Sequence, residues 1–125
     1  MFSFEKLRVY GKARELVKEV YVLQKKFPKE ERYELGDQIR RSITSVTSNI
    51  AEGSGRDSYK EKIHFLEISF GSLMEAFSQL QNAQDLGYIN ELDVENVRPM
   101  FEDVAKMLSG MKNKFKGLSG KGING

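Results

Sequence analysis

The chain has 125 residues, enough for one domain that buries a core of its own. It has no cysteine, which excludes a disulfide scaffold, a thiolate-bound metal and a cysteine nucleophile. The net charge of +2 hides three blocks: residues 1–60 carry 13 Lys/Arg against 9 Asp/Glu, residues 61–105 carry 2 against 9, and residues 106–125 carry 5 lysines and no acid. Such segregation can orient subunits or attract a polyanion to the basic parts. The opening MFSFEKLRVYGKARE holds no signal-like apolar run, and no stretch nears the roughly 20 apolar residues of a membrane span. The expectation is a cytoplasmic protein without a membrane partner.

Proline occurs only at positions 28 and 99, and the repeating apolar signal has helical spacing. Segment one is expected from Ser3 to Lys26. Val9, Ala13, Leu16, Val17, Val20, Leu23 and Phe27 mark its inner face, and Phe27-Pro28 closes it, because a residue before proline avoids α geometry. Segment two is expected from Asp37 to Glu52, with Leu35, Ile39, Ile43, Val46 and Ile50 at steps of 4, 4, 3 and 4. Gly53, Ser54 and Gly55 read as its stop, and Ser58 to Glu61 as the capping box of the next helix. Segment three spans Tyr59 to Leu86, with Ile63, Leu66, Phe70, Leu73, Met74, Phe77 and Leu80 on one side. Segment four spans Glu91 to Phe115, with Leu92, Val97, Phe101, Val104, Leu108, Met111 and Phe115, and Pro99 either bends it or delays its start. The expected fold is all-α: an antiparallel up-and-down four-helix bundle over residues 1–116, with a flexible glycine-rich tail over 117–125.

Segments two and three carry a second face. Phe65, Ser69, Ser72, Ala76 and Ala83 share a flank, and Gly71 sits mid-helix at a cost of about 1 kcal/mol, which suggests a close backbone approach. Segment two is rich in Ser and Thr, poor helix formers that another helix must hold in place. Gln38, Arg41, Ser45, Asn49 and Glu52 line one polar flank there, expected to be structural or to meet a neighbouring subunit. Small-residue flanks on so short a bundle point to self-association. The alternative is a monomer in which helices two and three are the most central.

The residues QIRRS at 38–42, SNIAEG at 48–53, Arg56 and FLEIS-x-GSLMEA at 65–76 follow Phe4, Leu7, Val9-Tyr10, Ala13, Val20-Tyr21 and Phe27-Pro28. With this set the chain resembles, from residue 4 to about 115, the four-helix-bundle family of proteins encoded in 23S rRNA intervening sequences. The resemblance implies a cyclic homopentamer without established enzymatic activity. A related branch is the accessory variability protein of diversity-generating retroelements, and that kinship implies RNA or DNA as a partner. The chain departs from the family pattern in three places. Thr47 stands at a usual proline position, Tyr33-Glu34-Leu35 replaces Tyr-Gly-Leu before helix two, and Phe77 stands where an acid is common.

Catalytic and metal chemistry find little to stand on. Glu61-Lys62-Ile63-His64 matches half of a di-iron bundle signature, but the chain's single histidine cannot complete it. GSGR at 53–56 lacks the Walker pattern. Glu67 reads as a carboxylate near the core with an arginine or hydroxyl partner. No cofactor and no catalytic residue is expected. For a polyanion the candidates are Arg40, Arg56, Lys112, Lys114, Lys116 and Lys121, and Arg40 and Arg41 also suit structural ion pairs. The function expected is a non-enzymatic oligomeric scaffold or interaction protein. The alternative is a nucleic-acid-binding module acting as a ring-shaped homo-oligomer.

Overall fold

Four helices form close to where the apolar spacing places them: α1 Arg8–Gln24, α2 Leu35–Ser54, α3 Tyr59–Asp85 and α4 Glu91–Lys121. The structure is a computed structural model and describes residues 1–121. Helix α1 packs on α2, α2 on α3, α3 on α4, and α4 returns to α1. Short connections reverse the chain each time, so the fold is the expected up-and-down four-helix bundle.

One periodicity explains the core. The buried apolar positions are 9, 13, 16, 20, 23 and 27 in and after α1, and 39, 43, 46 and 50 in α2. In α4 they are 94, 97, 101, 104 and 108. In α3 the buried seam is Leu66, Ser69, Leu73, Ala76, Leu80 and Ala83. Every one of these series alternates steps of 3 and 4, an average of about 3.5 residues. That period keeps one seam facing inward along each helix and favours knobs-into-holes packing at shallow crossing angles.

The seam corrects several expectations. In α3 it combines alternate members of both expected flanks, so Met74 is exposed and Ile63, Phe70 and Phe77 are only half-buried. Leu92 is exposed on the first turn of α4, and Val94 takes the core position instead. Ile89, just before α4, is also buried. Gly71 is exposed, and a Cβ there would meet nothing within 4 Å.

The ends differ in informative ways. Before α1, Ser3–Lys6 is a separate 3-10 turn, divided from the helix by extended Leu7. Helix α2 ends within the expected Gly53-Ser54-Gly55 stop, running to Ser54 with Gly55 at its C-cap. A Cβ on Gly53 would lie 2.8 Å from the Cβ of Phe65, so this glycine serves the approach of α2 to α3. Helix α3 opens on the expected Ser58 N-cap, one half of the expected capping box, with the Glu61 N–H donating to Ser58 Oγ at 3.1 Å. The Glu61 carboxylate meets the Ser58 hydroxyl, at 3.4 Å. It ends at Gly87, whose φ of +81° lets Gly87 N–H reach Gln84 O and Tyr88 N–H reach Ala83 O, both at 2.9 Å. Pro99 does not delay the start of α4, which is continuous from Glu91 to Lys121, so 117–121 are helical where a tail was expected. Residues 122–125 of that expected tail lie outside the described residues.

Candidate functional site

The α2–α3 contact is the most extensive in the bundle, and a ladder of small polar groups runs through it. Fully buried Ser69 donates from Oγ to the Val46 carbonyl at 2.8 Å. Ser45 and Ser72 share a hydroxyl hydrogen bond of 2.9 Å. Ser42 donates to Gln79 Oε1 at 2.9 Å and to its own helix at Ile39 O, 3.1 Å. Gln79 Nε2 in turn donates to Glu75 Oε1 at 3.3 Å and reaches Gln38 Oε1 at 3.5 Å. Side chains this short let two helix backbones come together, and the buried hydroxyls of Ser69 and Ser42 find a carbonyl and an amide as partners. Among the described residues no buried side-chain polar atom lacks a partner.

This ladder opens on its outer side into a polar groove of about 440 Å³, lined by Gln38, Arg41, Ser42, Ser45, Ser72 and Glu75. The expected polar flank of α2 therefore splits. Gln38, Arg41 and Ser45 belong to the groove. Asn49 turns back on its own helix, donating to Ser45 O at 2.8 Å and Ser45 Oγ at 2.9 Å. Glu52 sits a turn further on and accepts from Arg56 at 2.7 Å. Arg41 itself is 83% exposed and only 3.5 Å from Asp37.

Serine chemistry needs a base within hydrogen-bond reach of the hydroxyl. The hydroxyls here meet an amide, a carbonyl and one another. His64 lies exposed on α3, against Phe65. Among the described residues no group of three or more His, Asp or Glu side chains converges to hold a metal ion.

The basic candidates also separate. Arg40 donates to Arg32 O at 2.8 Å and to Asp37 at 3.0 Å, fastening the Lys29–Tyr33 turn onto α2. Arg56 pairs with Glu52 and lies over the Phe65 ring at 4.8 Å, which clamps the α2–α3 turn. Lys112 donates to Glu67 at 2.9 Å. That bond, then the charge of Lys112, holds the Glu67 carboxyl below its ordinary pKa. Glu67 is thus exposed and lysine-paired, where a buried carboxylate with an arginine or hydroxyl partner was expected. Lys114 and Lys116 are exposed on α4. Lys121 ends the helix, and its side chain lies outside the described residues.

Gln79 and Glu75 are the site residues that the sequence reading missed. Gln79 continues the 3-4 spacing of Ser69, Ser72 and Ala76, so extending that series by one step finds it.

Comparison with known proteins bears on the fold and on kinship. No curated protein matches the chain. A crystal structure of a protein with unknown function from the S23 ribosomal protein family, from Bacteroides thetaiotaomicron, has the same fold. Its TM-score is 0.77 at 24% identity, over 84% of this chain and 95% of that one. The family model described as 23S rRNA-intervening sequence protein matches residues 5–110. No helix among the described residues is long and apolar enough to cross a membrane. The chain belongs to the 23S rRNA-intervening sequence protein family.

Proposed function

We propose that the protein is a non-enzymatic helical scaffold that works as a homo-oligomer, with the ring of five implied by its resemblance as the expected form. One observation carries this reading. Ile63, Phe70, Met74 and Phe77 form a partly exposed apolar band on the α4 side of α3, beside Gly71, whose backbone is open to approach. The band borders a groove of about 290 Å³ between α3 and α4, lined by Leu66, Glu67, Phe70, Gly71, Leu108, Ser109 and Lys112. Charge supports the same occupant. Residues 1–60, which hold α1 and α2, carry 13 Lys/Arg against 9 acids, and residues 61–105 carry 2 against 9. A second copy can thus set its basic half against this acidic half, the head-to-tail contact that generates rings. The polar seam supports a scaffold because its hydroxyls are engaged in holding helices. Sedimentation equilibrium at tens of micromolar tests the proposal: a multimer is expected, and a monomer alone sinks it.

A second reading is binding of RNA or DNA by that oligomer. It rests on Lys106, Lys114 and Lys116, exposed on α4 with no ion pair among the described residues. Phosphate contacts of this kind predict affinity that falls steeply with salt. A titration series in salt decides it, and no association at about 50 mM removes the reading.

A further inference from the structure

At the end of the bundle where α1 begins, two apolar pockets adjoin. The first, about 350 Å³, has walls of Leu7, Ile50, Tyr59, Leu66, Met111 and Phe115. The second, about 410 Å³, shares Leu7, Met111 and Phe115 with it and adds Val9 and Met107. Both fall in the ~300–1,000 Å³ range of small-molecule sites. The local sequence builds this space. Extended Leu7 separates the first turn from α1, and Tyr59 stacks on Phe115 at 5.6 Å across the end of the bundle.

The rim is basic. Arg8 and Lys114 border the second pocket, and Lys62 borders the first. Lys62 donates to the Ser54 carbonyl at 3.1 Å, which fixes it as a wall. Arg8 and Lys114 are exposed, and neither has an ion pair among the described residues. No acid follows Asp103 on α4 to offset them. An apolar floor with an uncompensated Arg–Lys mouth complements one kind of molecule, an alkyl chain ending in an anion.

We propose that this double pocket binds a single-chain amphiphilic anion. Its chain lies over Leu7, Met111 and Phe115, and its head group meets Arg8 and Lys114. Leu66 lines both this pocket and the groove beside the α3 band, but Leu7, Arg8, Met107, Met111 and Lys114 belong to this site alone, so binding and oligomerisation can fail separately.

The test follows the methionine methyl signals of the full chain by NMR during titration with dodecanoate below its micelle concentration. Saturable shifts are expected at Met107 and Met111 and none at Met74 or Met100. Dodecyltrimethylammonium, of equal chain length and opposite charge, is expected to bind more weakly. The exposed double variant R8Q/K114Q is expected to weaken dodecanoate binding on the order of tenfold, the size of two exposed charge contacts. Absent or unsaturable shifts overturn the proposal, as do equal shifts at Met74. Equal affinity for the cationic amphiphile overturns the assigned head-group site without recourse to any variant.

Discussion

A single methyl group separates the behaviour of two helical glycines. At Gly53 an added Cβ would sit 2.8 Å from the Cβ of Phe65, an atom fixed close to its backbone. At Gly71 it would meet nothing within 4 Å. Gly53→Ala is therefore expected to cost about 1–3 kcal/mol, as overpacking does. Gly71→Ala is expected to stabilise the fold by about 0.5–1 kcal/mol, through lower chain entropy in the unfolded state. Urea unfolding of both variants at one protein concentration checks the pair, and changes of the same sign would contradict it. The sequence reads Gly53 as part of the stop of α2 and Gly71 as a point of close approach, whereas within the subunit it is Gly53 that meets a close neighbour. Helical spacing locates a glycine on its own helix. Only the partner helix decides whether a side chain fits there.

At the scale of an element, α2 shows how poor helix formers are retained. Ser69 of α3 is fully buried and donates to α2 through Val46 O, so Ser69→Ala should cost about 1 kcal/mol, leaving that carbonyl without its side-chain donor. Ser48 is exposed and, among the described residues, its hydroxyl bonds back to Thr44 O of its own helix. Ser48→Ala should be neutral or slightly stabilising, by at most ~0.5 kcal/mol. Thermal unfolding of the two variants distinguishes them, and equal losses would show that the ladder is not what holds the pair.

Helix α4 offers a pH-dependent counterpart. Asp93 N–H donates to Asn90 Oδ1 at 2.8 Å, Asn90 N–H donates to Asp93 Oδ2 at 3.1 Å, and Lys26 of the α1–α2 connection donates to Asp93 at 2.7 Å. The Lys26 bond first, then the Asn90 N–H, lowers the Asp93 pKa from its ordinary 3.8. A carboxyl with a lowered folded pKa contributes stability that is whole above the unfolded value. That contribution is lost as pH falls through the folded one. Melting temperature should thus drop below about pH 4, and Asp93→Asn should flatten part of that drop. An identical acid profile in the variant would rule this carboxyl out as a contributor.

For the whole molecule, the α3 band is the place to break an assembly without unfolding a subunit. Met74 is 42% exposed, so Met74→Glu should leave helicity intact while a new charge opposes burial in a subunit contact. Sedimentation velocity with circular dichroism is the measurement. A shift to monomer with unchanged helicity is expected, and an unaltered multimer would place the contact elsewhere.

The sequence by itself determined the number of helices, their order and most of the inward positions, because these depend on local spacing and chain reversals. It also carried the Ser58 cap, the Gly87 stop and the motif set of the family. Tertiary structure alone decided the exact seam of α3, since Leu73 and Met74 are equally apolar and only packing leaves one at 0% and the other at 42% exposure. It decided which serines meet across α2 and α3, and which arginines are occupied. It also decided where the apolar end of the bundle stays open. Those outcomes depend on atoms that are distant in the chain and adjacent only after folding, so no local pattern encodes them.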